Sequence, residues 1–217
     1  LDDLVARHDA AWPSKLDTHN IIEHGREFRQ ARTIGFVIIG DVVGFSETMQ
    51  NPDHYHRFPQ AFLQMVKEAA AGLRNHRVES GDEVLMIDAN PLRLLEAARR
   101  LHRALLDSVF ERALRFGAAA GVFDLAPGAF DETRPVSTSL RTAGRLLAHA
   151  RPGTVLLADN FHRELEAAGW PARGFRRVLP DERPELVHDG ERFHVHKPGG
   201  TDVVRTGLLE LDFSGSE

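Results

Sequence analysis

The chain has 217 residues, with 27 Lys and Arg against 32 Asp and Glu, and its net charge of −5 offers no overall basic character to recruit nucleic acid. At 42% hydrophobic and 27% charged, its composition is that of a folded protein able to bury its own core. Cysteine is absent, which excludes disulfides, thiolate metal sites and a thiol nucleophile, and fits a reducing compartment. The longest apolar run is far short of the roughly 20 residues that span a bilayer. The opening LDDLVARHDAAWPSK is acidic and mixed, unlike a secretory signal. A cytoplasmic location, with neither membrane nor nucleic acid as partner, is expected.

Residues 1–30 are polar and histidine-rich and are expected to form a helical arm or a flexible lead-in. Residues 34–41 are a continuous apolar run bounded by glycine, the pattern of a buried central strand. Gly44-Phe45-Ser46 leads into a helix. Over 58–74, Phe58, Phe62, Met65, Val66 and Ala69 recur at helical spacing. Short strands follow at 76–79 and 83–88, hinged at Ser80-Gly81-Asp82. Leu94, Leu95, Ala98, Leu101 and Leu105 mark a helix over 91–107. RFGAAAGVF (115–123) is a strand of small residues against which something packs closely. A helix over 136–150, the strand TVLLAD and a short helix to about 168 complete the series. The segments 173–179 and 192–197 are expected to pair as a closing hairpin. The tail 199–217 is expected to be peripheral, so the main domain is placed at 31–198.

This order predicts an α+β fold with a mixed sheet and helices packed on one face. Asp41 closes the first strand and Asp82 sits in the turn of the hairpin. Neighbouring strands lie about 4.8 Å apart, so turns at one end of a sheet can bring both carboxylates to one ion. Hard divalent cations take one or two carboxylates plus substrate phosphates. The glycine turn and helix start after Asp41 offer backbone N–H groups to phosphate. Acids for metal beside amides for phosphate point to a nucleoside triphosphate site. Either aspartate alone would equally suit a turn former or a helix cap.

GFVIIGDVVGFSETM resembles the first metal-binding segment of the class III nucleotidyl cyclases, the adenylate and guanylate cyclase catalytic domains. ESGDEVLMI resembles their Gly-Asp hairpin, LRFGAAAGVF their Arg-hydrophobic-Gly strand, and STSLRTAGRLLAHARPGTVLLAD their helix-turn-strand. The four blocks stand in order over residues 34–168. The resemblance implies a ferredoxin-like, palm-like βααββαβ core that works as a homodimer with shared active sites. It implies two Mg²⁺ or Mn²⁺ ions per site held by Asp41, Asp82 and the carbonyl of Val42. It implies phosphate binding by the amides of Gly44, Phe45 and Ser46, and charge stabilisation by Arg145 from the opposite protomer. The reaction implied is attack of the ribose 3′-hydroxyl on the α-phosphate of a nucleoside triphosphate, releasing pyrophosphate.

The base-reading positions depart from the purine cyclases. Val78 stands where they place a Lys or Glu, with Glu79 next to it; Arg134 and Arg141 match the positions of an Asp, Thr or Cys and of the ribose-orienting Asn. The triphosphate lysine has no clear counterpart, with Arg183, His188 and Arg192 nearby. Arginine only donates hydrogen bonds, which suits carbonyl-rich bases. Tyr55 either contacts a base or packs structurally. The pattern is similar to bacterial cyclases that make cyclic CMP or cyclic UMP as an anti-phage signal. The alternatives are an adenylate or guanylate cyclase, a catalytically silent regulatory domain of the same fold, and another palm-like nucleotidyl transferase. SGDEV lacks the second glycine and the phenylalanine of a diguanylate cyclase hairpin.

Overall fold

A computed structural model describes residues 32–124, 138–167, 169, 174–196 and 203–213. The expected arm at 1–30 and Arg134 lie outside them. In chain order the elements are β1 (Arg32–Val42), α1 (Phe45–Thr48), α2 (Pro52–Tyr55), α3 (Phe58–Ala69), β2 (Asn75–Glu79), β3 (Glu83–Asp88), α4 (Pro91–Leu106), β4 (Leu114–Asp124), α5 (Thr138–Leu147), β5 (Thr154–Ala158), α6 (Asp159–Ala167), β6 (Phe175–Arg177), a 3-10 turn (Pro180–Glu182), β7 (Val187–Asp189), β8 (Arg192–Val195), β9 (Val204–Thr206) and β10 (Leu208–Asp212). The order β2-β3-β1-β4-β5-β10-β6 makes one mixed sheet of seven strands, and β7-β8-β9 make a second, small one. The expected α+β class and palm-like order of elements are observed. No helix among the described residues is long and apolar enough to cross a membrane.

Strand alternation sorts the buried side chains into two layers. Phe36, Ile38, Val84, Met86, Phe116 and Ala118 face α3, α4 and α6. Val37, Ile39, Leu85, Ile87 and Ala119 face the other way, towards α5 and the small sheet. The one-sided helical layer therefore holds for α3, α4 and α6, while α5 lies on the opposite face. The hairpin at 79–83 turns through Ser80 and Gly81, both at positive φ. Asn90 starts α4, its side chain accepting from the N–H groups of Leu92 and Arg93 at 2.9 and 3.2 Å.

Two expectations about the C-terminal part are corrected. The tail is not peripheral: β10 pairs with β5 and β6 inside the main sheet, and Phe213 is 4% exposed in the core. The segments 173–179 and 192–197 do not pair with each other. β6 pairs with β10, and β8 pairs with β7 and β9. Both corrections have one cause: the partner of β6 is a strand some thirty residues later, a non-local pairing that turn chemistry does not announce.

Candidate active site

Antiparallel register places four ionisable side chains in a row across the sheet. Asp41 on β1 stands opposite Glu83 on β3 and opposite Arg115 on β4. Glu79 on β2 stands opposite Glu83. Directly opposed residues share a face, so Glu79, Glu83, Asp41 and Arg115 all lie on the α5 side. Arg115 donates to Asp41 Oδ2 from Nε at 2.9 Å and from Nη2 at 2.6 Å.

Asp82 belongs to the same end of the sheet. Its turn abuts the start of α1, since a Cβ built on Gly81 would lie 3.5 Å from the ring tip of Phe45. Burial first, and then the negative charge of Asp41, hold the Asp82 carboxyl above its usual 3.8, against backbone hydrogen bonds at Asp82 and Glu83 that pull it down. The structure thus brings Asp41 and Asp82 within electrostatic reach of each other, in a pocket of negative charge that Arg115 partly offsets. That crowding suits a divalent cation: two carboxylates form an oxygen donor set, and a guanidinium already occupies a cation's place against one of them. Among the described residues no cluster of three His, Asp or Glu side chains gathers.

The turn after β1 is built for close approach. Val42 is buried in the core at 3% exposure, so its side chain anchors the strand end. Gly44 has φ +74, in the left-handed region that favours glycine, and precedes α1. Its carbonyl accepts from Thr48 Oγ1 at 3.1 Å. Phe45 packs on Phe58 at 5.5 Å between ring centroids, and Ser46 is exposed. Arg112 lies over the turn, its Nη1 3.7 Å from Glu47.

α5 carries Arg145, which is 9% exposed, and Arg141 one turn earlier, which is exposed. The small residues of β4 are explained here. A Cβ at Gly117 would meet the Ala143 carbonyl at 2.1 Å and the Leu147 nitrogen at 2.4 Å, and one at Gly121 would meet Ser139 Oγ at 1.7 Å. The helix therefore rests directly on two bare backbone positions.

The other expected residues have the following surroundings. Val78 stands opposite Val84 and packs against the α3–α4 layer, so it lies on the wrong face for the site; Glu79, one residue on, lies on the right one. Tyr55 is 52% exposed on α2, its ring against that of His56 at 5.0 Å. Arg183 is 8% exposed and engaged with Glu210 and Glu185, both at 3.4 Å. Sequence reasoning assigned no role to Arg115. Its signal is the arginine of LRFG, but its use depends on β4 being the neighbour of β1.

The fold is similar to that of solved guanylyl and adenylyl cyclase domains. No family model matches the chain, and no curated protein matches its sequence. Solved structures do match its fold. The guanylate cyclase domain of RhGC from Catenaria anguillulae, solved in complex with GTP, has a TM-score of 0.57 at 12% identity, over 82% of this chain and 97% of that one. The adenylyl cyclase CyaB from P. aeruginosa has a TM-score of 0.57 at 11% identity, over 83% and 94%. An adenylate/guanylate cyclase/hydrolase from Silicibacter pomeroyi has a TM-score of 0.56 at 16% identity, over 83% and 97%.

Proposed function

We propose that this chain is a nucleotidyl cyclase that converts a nucleoside triphosphate to a 3′,5′-cyclic nucleotide and pyrophosphate. The observation that carries this reading is the meeting of Asp41 and Asp82 beside the Gly44 turn, within a cyclase fold. Asp41, Asp82 and the carbonyl of Val42 are the ligands for Mg²⁺ or Mn²⁺, two ions per site. Bound there, such ions supply positive charge to the triphosphate and lower the pKa of the 3′-hydroxyl. The backbone N–H groups of Gly44, Phe45 and Ser46 orient the β- and γ-phosphates. The 3′-hydroxyl gives its proton to solvent, its oxygen bonds to the α-phosphorus, and the bond to pyrophosphate breaks in line, the electron pair leaving with pyrophosphate. Arg145 stabilises the charge that builds on the phosphorus oxygens. In the proposed homodimer it comes from the opposite protomer, and within the single chain it is 9% exposed.

Arg134 and Arg141, standing where purine cyclases place base- and ribose-reading side chains, favour a pyrimidine, UTP or CTP, and a product that serves as a defence signal. One observation favours a second reading. Glu79 shares the face of Asp41 and is held by Arg77 at 2.6 Å. A carboxylate accepts hydrogen bonds, and guanine offers donors at its pairing edge, so Glu79 favours GTP. Asp41→Ala tests the reading they share. It is expected to abolish turnover with every nucleotide, whereas full activity in Asp41→Ala would remove this site from the chemistry.

A further inference from the structure

We propose that Arg115 holds the place of a cation at Asp41, so that loading of a divalent ion and release of Arg115 are a single exchange. This rests on the reading that Asp41 is a metal ligand. Both Arg115 nitrogens converge on one oxygen, Oδ2, at 2.9 and 2.6 Å. A guanidinium more commonly bridges both oxygens of a carboxylate in a fork. The pair is partly shielded, with side chains 37% and 21% exposed, so its charges are not simply screened by water.

The surroundings favour replacement by a stronger cation. Register puts Glu83 directly across from Asp41 on the other flank, and Asp82 lies at the adjoining turn. The negative charge of Asp82, within electrostatic reach of Asp41, therefore adds to the one that Arg115 compensates. Arg112, the next arginine along the chain, lies over Glu47 rather than over this group. A divalent ion brings twice the charge of Arg115 to the same oxygens. Until it arrives, Arg115 keeps Asp41 compensated and competes with it for Oδ2.

The exchange predicts that removing Arg115 strengthens binding, opposite to a simple loss of structure, and the charge-keeping Arg115→Lys separates it from repulsion between charges. Mn²⁺ alone is titrated into the full chain without nucleotide, with the free ion read by electron paramagnetic resonance. Arg115→Gln is expected to bind Mn²⁺ roughly tenfold more tightly than the unaltered protein, the size of a lost charge-assisted hydrogen bond. Arg115→Lys keeps the charge without the two-nitrogen contact and is expected to fall between. Asp41→Asn is expected to weaken binding in both backgrounds. Equal or weaker binding by Arg115→Gln, with Asp41→Asn still damaging, overturns the exchange and leaves the metal reading standing. Binding that Asp41→Asn leaves unchanged overturns both. The unaltered protein gives an independent measure through the Nε–H resonance of Arg115, assigned by its loss in Arg115→Gln. Saturating Mg²⁺ is expected to move it to the position of a solvated arginine, and no movement overturns the exchange.

Discussion

Replacing Gly117 with alanine adds one methyl group where α5 crosses β4. The added carbon would lie 2.1 Å from the Ala143 carbonyl and 2.4 Å from the Leu147 nitrogen, both backbone atoms of α5. No rotamer relieves a clash with backbone. Cβ contacts do not fall below 3.0 Å, so the helix must retreat by the difference, at least 0.9 Å. Overpacking of this kind costs about 1–3 kcal/mol. At roughly 2–4 °C per kcal/mol for a protein of this size, Tm is expected to fall by about 2–12 °C. Arg145 sits between the two clash points and moves with the helix. A misplacement of about 1 Å at a catalytic group can lower the rate on the order of 100-fold. Gly144→Ala is the control on the same helix, because its new methyl meets only Ile39 Cδ1 at 3.8 Å, an ordinary contact. It is expected to stabilise α5 by about 0.5–1 kcal/mol through helix propensity. Initial rates of cyclic product formation and thermal melts of both variants test the argument. Gly117→Ala with unchanged rate and Tm, or a Gly144→Ala equally damaged in both, would refute it.

Asp82→Asn is expected to abolish turnover yet raise Tm at neutral pH. The folded state holds the Asp82 carboxyl above 3.8, so its contribution to stability is present below that value and is lost as pH rises through the folded pKa. The gain in Tm should therefore shrink as pH falls towards 3.8, and a Tm lower than that of the unaltered protein at pH 7 would contradict the assignment. His102 behaves in the opposite sense. It is 3% exposed, its Nδ1 accepts from the Leu114 N–H at 3.2 Å, and burial holds its pKa below 6.5, with Arg103 adding to the fall and Asp212 and Asp107 opposing it. Its contribution is complete above 6.5 and is lost as pH falls from there to the folded value, so chemical denaturation from pH 7.5 to 5.5 should show a decline that His102→Gln flattens. Glu210 is 6% exposed and receives Arg176 at 2.6 Å and the buried Arg183 at 3.4 Å. Glu210→Leu leaves the buried Arg183 guanidinium with Glu185 alone and is expected to cost about 3 kcal/mol by urea unfolding, whereas a loss below about 1 kcal/mol would show the cluster to be surface-like.

The elements that a local pattern specifies were legible in the sequence. Phe58, Phe62, Val66 and Ala69 set α3 by their spacing, and the paired punctuation of Gly44 and Gly81 at the ends of β1 and β2 marked where carboxylates could meet. The small residues of β4 announced a close neighbour but not its identity, since α5 docks on Gly117 and Gly121 only through tertiary packing. Val78 and Glu79 could not be sorted between faces, because a register shift of one residue exchanges them and the turn at 80–82 sets that register. Arg115 was visible but silent, as its partner lies 74 residues away on another strand. β10 carried the alternating pattern LLELD, yet the gap to β5 and β6 concealed which sheet it would join.

Product identification tests the central claim most directly. The purified protein is incubated with ATP, GTP, CTP and UTP separately in the presence of Mn²⁺, and products are identified by mass spectrometry. One 3′,5′-cyclic nucleotide with stoichiometric pyrophosphate is expected, lost in Asp41→Ala and Asp82→Asn. UTP or CTP as its source supports the pyrimidine reading, and GTP supports the reading from Glu79. No cyclic product from any of the four, by protein that is folded and dimeric, would contradict the account and identify the chain as a silent domain of the cyclase fold.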